Sequence, residues 1–218
     1  INLNCGSTNI DTIAKTVPAL SADLGIALDG DADRVILIDP NGNTIEGDQI
    51  LYILAKNAIN VNKFNSKIVG TILTNSGLEI SLKNKGIKLY RSEVGDKNVL
   101  QLMRQTGSLI GGENSGHIIN LEYSPSGDGL MTALLIMKTM IESEKSLDEL
   151  LNGLDLIPQL SHNIETDLTK ISNDFIAKIA DDANTNLKNG RVLVRKSGTE
   201  PLLRITVESN DKLEAQKI

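Results

Sequence analysis

The chain has 218 residues, 40% hydrophobic and 23% charged, with a formal net charge of −6 and a pI near 5.0. This is the composition of a soluble globular protein of one or two domains, and its acidity excludes a general surface for nucleic acid or anionic membranes. A local basic pocket for a phosphorylated small molecule remains compatible with it. The single cysteine, Cys5, excludes an internal disulfide. No apolar run approaches the ~20 residues of a membrane span or resembles a secretory signal, so a cytoplasmic location is expected. The chain starts at Ile1 and stops inside "NDKLEAQKI", an Asn- or Asp-capped segment with about two turns of helical pattern. It reads as an internal fragment of a longer protein.

Taken in chain order, "DLGIALD" predicts a short strand through Leu24, Ile26 and Leu28, and "VILID" (35–39) a second. "PNGN" (40–43) is turn chemistry, and Ile50, Ile53, Leu54 and Ala58 then mark a helical face with Asp48 as N-cap. Strand and helix now alternate: strand 67–73, helix 78–85 closed by Gly86, strand 87–91, helix 97–105 closed by Gly107, then "SLIGG" and "HIINL". This alternation predicts a parallel or mixed sheet between helices. Leu130, Leu134, Met137 and Ile141 mark a longer helix, and "SLDE" (146–149) opens another with a capping box. After a linker at 152–158 come a strand, a helix carrying Ile176, Ile179, Ala180, Ala183 and Leu187, strand "RVLVR", loop "KSGTEP" and strand "LLRITVE". The fold class is therefore α/β, a layered α/β domain followed by a small α+β domain.

Four places carry possible chemistry. In "LDGDADRVILID" (28–39), Asp29, Asp31 and Asp33 alternate on one loop. Their mutual repulsion is relieved if they converge on a hard cation, and Mg²⁺ favours a few carboxylates plus water and phosphate. A calcium hand is excluded, since its sixth and twelfth positions are Arg34 and Pro40 here. "GGENSGH" (111–117) sets Glu113, Asn114, Ser115 and His117 between glycines, donors and acceptors suited to sugar hydroxyls. His117 has the titration range of a general acid or base, whereas His162 reads as structural. "RKSGTEPLLR" (195–204) gathers Arg195, Lys196, Ser197, Gly198, Thr199 and Arg204 around a glycine turn, the makings of a phosphate cradle. "TNSG" (74–77) and "EVGDKN" (93–98) lie at strand ends, where Lys97 would meet a phosphate and Asp96 a sugar, although capping by Asp96 and by Asn75 or Ser76 explains most of both. By spacing alone the first three also read as a solvated acidic turn, a polar hairpin and a charged hairpin tip.

In this order, "DGDADR", "GGENSGH", "GDGLMTALL" and "RKSGTEPLLR" resemble the phosphohexomutase superfamily, end to end. "CGSTN", "ADLGIALDGDADRVILID", "EGDQILYILA" and "KSGTEPLLR" are similar to its glucosamine-phosphate branch rather than its phosphomannomutase and phosphoglucomutase branches. The resemblance implies four domains around one cleft. Residues 1–40 would be the tail of the second, 41–152 the third, a three-layer α/β sugar-binding unit, and 155–218 most of the fourth. The phosphorylated serine of the family lies in the first domain and would be absent here.

The resemblance also implies roles. Asp29, Asp31 and Asp33 would hold Mg²⁺, Arg34 would contact the serine phosphate, and Glu113 and Ser115 would bind sugar hydroxyls. His117 would assist proton transfer. Arg195, Ser197, Gly198 and Thr199, with Arg204 as a neighbour, would bind the non-reacting phosphate. The implied reaction interconverts glucosamine 6-phosphate and glucosamine 1-phosphate through a hexosamine 1,6-bisphosphate, on the route to UDP-N-acetylglucosamine. The implied partners are a small sugar phosphate and a second copy of the protein through its N-terminal region, with neither nucleic acid nor membrane. By itself the fragment is expected to be inactive.

Two rival readings remain. An aspartyl-nucleophile phosphatase would use Asp29 and Asp31, but its fifth loop position carries Thr or Val where Asp33 stands. A sugar-phosphate-binding module without a nucleophile is the second alternative, which an upstream segment carrying the serine would decide against.

Overall fold

The computed structural model describes residues 2–59, 64–187, 190–197 and 200–217. They divide into two compact units, Ile1–Asp155 and Leu156–Ile218.

The first unit opens with α1 (Asp11–Ala19), a helix the sequence pattern does not announce: its N-cap, Ile10, makes no side-chain cap, Pro18 sits near its end, and Val17 is its one buried residue. Next comes an antiparallel sheet of β1 (Gly25–Leu28), β2 (Val35–Ile38) and β3 (Thr44–Ile45), in that order. The aspartate loop is the β1–β2 connection, and the β2–β3 turn is organised by the buried Asp39, whose carboxylate accepts from the Asn41 and Asn43 amides at 2.9 and 2.8 Å. Alternating side chains send Ala27, Ile36 and Ile38 against α1, and Val35 and Leu37 into the main core.

Then follow α2 (Gly47–Ala58), β4 (Lys67–Thr71), α3 (Ser76–Lys83), β5 (Lys88–Ser92), α4 (Asp96–Thr106), β6 (Ile110–Gly112), β7 (Ile118–Asn120), α5 (Gly129–Ser143) and α6 (Leu147–Leu150). The sheet order is β5-β4-β6-β7, parallel except for the β6–β7 hairpin. Ile68 and Ile110 point into the core shared with α2, α3 and α5, while Val69 and Ile119 meet Val99 and Met103 of α4 on the other face. Helices therefore cover both faces, as the alternation predicts.

Two details differ from the sequence reading. Asp48 does not cap α2. Glu46 is the N-cap and closes a capping box with Gln49, and the buried Asp48 carboxylate instead accepts from the Asn75 amide at 2.8 Å, tying the start of α2 to the start of α3. Helix α5 forms as expected, but Leu130, Leu134, Met137 and Ile141 lie on its exposed side, and Thr132, Ala133 and Ile136 face the core.

The second unit carries β8 (Gln159–Glu165), a 3₁₀ turn at Leu168–Lys170, α7 (Asn173–Asn186), β9 (Gly190–Lys196), β10 (Leu202–Ser209) and α8 (Lys212–Ala215). Its antiparallel sheet has the order β8-β10-β9, and Val192, Val194, Leu203 and Val207 pack against Ile176 and Ala215. No helix among the described residues is long and apolar enough to cross a membrane.

Candidate active site

The β1–β2 loop does not stand alone in solvent: the neighbouring loop is stitched to it. Arg34 and His117 form an isolated antiparallel bridge, and the Val35 amide donates to the Gly116 carbonyl at 3.1 Å. Gly116 has φ +91°, and a Cβ there would collide with the Val35 carbonyl, so this approach requires glycine. A third segment closes over both. The Gly129 amide donates to the Ala32 carbonyl at 2.8 Å, Asp128 caps α5 through the Met131 amide at 2.8 Å, and Gly127 lies flat against the His117 ring. A Cβ at Gly127 would lie within 2.6 Å of both ring nitrogens. "DGDADR", "GGENSGH" and "GDG" therefore build one site. Residue type alone assigns no role to Gly127–Gly129, although two glycines flanking an N-cap aspartate are the signal of a close backbone approach.

Ala32 turns the loop with φ +59°, a conformation an alanine adopts only at a cost, and one that accompanies the convergence of the aspartates around it. Asp29, Asp31 and Asp33 each offer an oxygen within 4.8 Å of the others. The Arg34 amide donates to Asp29 Oδ1 at 3.1 Å, and Arg34 Nε stands 3.7 Å from Asp29 and 3.8 Å from Asp33. Asp33 Oδ2 meets His117 Nδ1 at 3.1 Å, while Asp33 Oδ1 is buried without a hydrogen-bond partner. Partial burial raises the Asp33 pKa most; the neighbouring Asp29 carboxylate and the charge of Asp31 add to this, and His117 opposes. Three convergent carboxylates with one buried, unpartnered oxygen suit a hard divalent cation with open positions for water or phosphate.

On the facing loop the Glu113 carboxylate accepts from the Gly95 amide at 2.9 Å, and the Asn114 carbonyl accepts from the Gly47 amide at 3.0 Å. The "EVGDKN" loop thus lies against Glu113, with Gly95 as N-cap of α4 and Asp96 as its first residue. Asn75 caps α3, as expected, accepting from the Gly77 amide at 2.8 Å. Ser115 is exposed at the loop tip, while His117 is buried, its Nε2 unpartnered beside Gly127.

In the second unit, Arg195 stands directly opposite Arg204, which stands opposite Asn163. Like charges paired across strands are unfavourable, and burial followed by the Arg204 charge lowers the Arg195 pKa. Arg204 is tied to Glu200 at 2.6 Å; Arg195 has no carboxylate partner among the described residues. Such a pair is suited to an anion. Ser197 is buried, its amide donating to the Leu202 carbonyl at 2.8 Å, and Gly198 and Thr199 lie outside the described residues. Lys196 does not join this cluster. Strand alternation sends it to the other face, where Nζ donates to the Leu168 and Ile171 carbonyls at 3.2 and 2.6 Å. His162, opposite Ile205, shares that face and belongs to neither arginine.

Residues 46–156, just over half of the chain, match the family model for the phosphoglucomutase/phosphomannomutase alpha/beta/alpha domain III, and 163–218 match that for the C-terminal domain. The chain belongs to the phosphoglucomutase/phosphomannomutase family. Among curated relatives it is 44% identical to phosphoglucosamine mutase 2 of Shewanella sp. (strain MR-7) and 46% identical to phosphoglucosamine mutase 1 of Shewanella amazonensis, in each case over 97% of this chain and 48% of the relative. It spans about half the length of the curated relatives it matches. Among solved structures, Aspergillus fumigatus N-acetylphosphoglucosamine mutase in complex with GlcNAc-6P and magnesium superposes with a TM-score of 0.79 at 19% identity, over 100% of this chain and 55% of that one. At that identity the likeness is one of fold.

Proposed function

We propose that this chain is the C-terminal half of a phosphoglucosamine mutase, interconverting glucosamine 6-phosphate and glucosamine 1-phosphate through a phosphoserine enzyme and a hexosamine 1,6-bisphosphate. On this reading residues 1–40 close the second domain, 41–152 form the third and 155–218 the fourth. The phosphoserine belongs to the N-terminal half, and the protein works in the cytoplasm on the route to UDP-N-acetylglucosamine. The observation that carries the reading is the stitched junction of the aspartate loop and the Glu113–His117 loop, which sets a cation-ready carboxylate group beside sugar-binding donors and acceptors. The relatives' names supply the sugar.

Asp29, Asp31 and Asp33 would hold Mg²⁺, which supplies positive charge to a phosphoryl oxygen. Arg34, half exposed beside them, presents a guanidinium to the same phosphate. Glu113 and Ser115 take sugar hydroxyls. His117, buried with Nδ1 on Asp33, orients that carboxylate and would assist proton transfer near the reacting oxygen. Arg195 and Arg204, with Ser197, Gly198 and Thr199, hold the non-reacting phosphate by charge. That suits an intermediate bound in two orientations, because a phosphate cradle that reads charge accepts either end of the sugar. Phosphoryl transfer needs positioning and charge stabilisation above all.

The test is a Mg²⁺-dependent mutase assay on the complete reading frame, primed with hexose 1,6-bisphosphate, comparing glucosamine, glucose and mannose 6-phosphates. Preference for glucosamine phosphate is expected. Equal rates would withdraw the sugar assignment, and no turnover on any sugar with an intact serine would favour a binding module.

A further inference from the structure

Helix α2, the β6–β7 hairpin and helix α5 meet at two ends. At one end they build the site: the Gly47 amide at the start of α2 donates to the Asn114 carbonyl, the hairpin carries Glu113–His117 at its tip, and the Gly129 amide at the start of α5 donates to the Ala32 carbonyl. At the other end, two to three turns down each helix and at the base of the hairpin, they leave a cavity of about 120 Å³. At a rise of 1.5 Å per residue, the stretch of α2 from Gly47 to Asn57 puts this cavity about 15 Å from the site. The mutase reading makes no use of it.

Leu54, Ile110 and Leu135 give the cavity an apolar wall. Two amide side chains also line it, and each has spent one of its two ends. Asn57 Nδ2 donates to Thr139 Oγ1 at 3.2 Å, which leaves Oδ1 as an acceptor. The buried Thr139 hydroxyl gives its own hydrogen to the Leu135 carbonyl at 2.9 Å, so its oxygen can only accept from Asn57, and the orientation of that amide is fixed. Asn120 Oδ1 accepts from the Glu122 amide at 3.1 Å, which leaves Nδ2 as a donor. The chain has three tyrosines, two phenylalanines and no tryptophan, yet Tyr123 and Phe64 both line this one cavity. Tyr123 is 50% exposed there, aromatic surface of the kind that a flat ring covers.

We propose that this cavity binds a small planar cyclic amide of pyrimidine-base size, whose N–H donates to Asn57 Oδ1 and whose carbonyl accepts from Asn120 Nδ2. The chemistry of the lining sets the class. An apolar wall and aromatic rings suit a flat ring, one unspent acceptor and one unspent donor suit a ring that carries both an N–H and a C=O, and the volume holds a single six-membered ring. No charged group is needed in the ligand. The inference is independent of the proposed phosphoryl chemistry, and its test measures binding alone.

The probe is uracil, titrated into the 218-residue chain and followed through its amide NMR shifts. Saturable shifts confined to the lining, at Leu109, Asn120 and Leu135 among others, are expected with half-saturation at about a millimolar, the range open to so small a ligand. 1,3-Dimethyluracil keeps the ring and its carbonyls but has no N–H, and should bind at least about tenfold more weakly. Asn120→Asp keeps the acceptor for the Glu122 amide and replaces the donor, so it should weaken uracil binding by about tenfold as well. The titration of the unaltered chain decides the question even if that variant does not fold. Absence of saturable shifts at the lining up to the solubility of uracil, or shifts scattered over the surface, overturns the proposal and leaves the cavity to water. Equal affinity for uracil and its dimethyl analogue overturns the cyclic-amide assignment.

Discussion

Asp33 and His117, 84 residues apart in the chain, meet through Oδ2 and Nδ1 at 3.1 Å. The contact joins the acidic loop to the polar loop, and it holds a carboxylate that would otherwise be pushed away by Asp29 and Asp31. A cation and this histidine are complementary answers to one repulsion.

Asp31 is the most exposed of the three carboxylates and makes no hydrogen bond that the loop depends on. Asp31→Asn in the complete protein is therefore expected to leave the melting temperature within a degree or two while weakening Mg²⁺ binding by on the order of tenfold or more. Titration calorimetry alongside a thermal melt separates the two. Unchanged Mg²⁺ affinity would remove Asp31 from the site.

The raised pKa of Asp33 has a consequence for stability without metal. The folded chain keeps the Asp33 proton to a higher pH than the unfolded chain, whose carboxylates titrate near 4. Stability contributed by this group is present below that range and falls as pH rises through the raised folded value, then levels off. In EDTA, melting temperature should decline across that window. Millimolar Mg²⁺ should lift the upper end most, and Asp33→Asn should flatten the decline.

Gly127→Ala places a methyl group against both nitrogens of the His117 ring. The expected cost is about 1–3 kcal/mol of stability from overpacking, with a matching loss of mutase activity in the complete protein as the ring is displaced from Asp33. His117→Ala removes the obstacle, so the double variant should recover most of the stability lost in the single one and none of the activity. Additive losses in a denaturation cycle would show that Gly127 acts elsewhere.

Among the described residues no carboxylate offsets the charge of Arg195 opposite Arg204, so Arg195→Ala should leave the fold as stable as before or slightly more so. In the complete protein it should raise the substrate concentration needed for half-maximal rate by about 10- to 100-fold, the loss of one charge-assisted phosphate contact. Lys196→Ala is the contrast: it gives up two carbonyl contacts at the 3₁₀ turn and should lower the melting temperature without the same effect on substrate. Equal effects of the two on half-saturation would dissolve the distinction between the sheet faces.

Much of this was legible beforehand. The alternation of strands and helices, the glycine stops at Gly86 and Gly107 and the capping box of Ser146 and Glu149 all follow from local pattern, because turn chemistry and capping are settled within a few residues. The aspartates, the Glu113–His117 loop and the arginine pair were legible as donor sets, since residue type alone states what a side chain can bind.

What the pattern left open was direction. Residues 130, 134, 137 and 141 trace a flawless helical stripe, but α5 carries a second apolar face, and only the packing of Ala133 and Ile136 under the sheet decides which one the core takes. Asp48 satisfies every rule for a helix cap, yet a better capping box that starts two residues earlier, at Glu46, frees it to bind another helix. α1 is held by a sheet rather than by its own propensity. Local sequence determined which elements form and which chemistries they carry; tertiary structure decided which faces are buried and which loops touch, because those depend on contacts between segments tens of residues apart that no local pattern encodes.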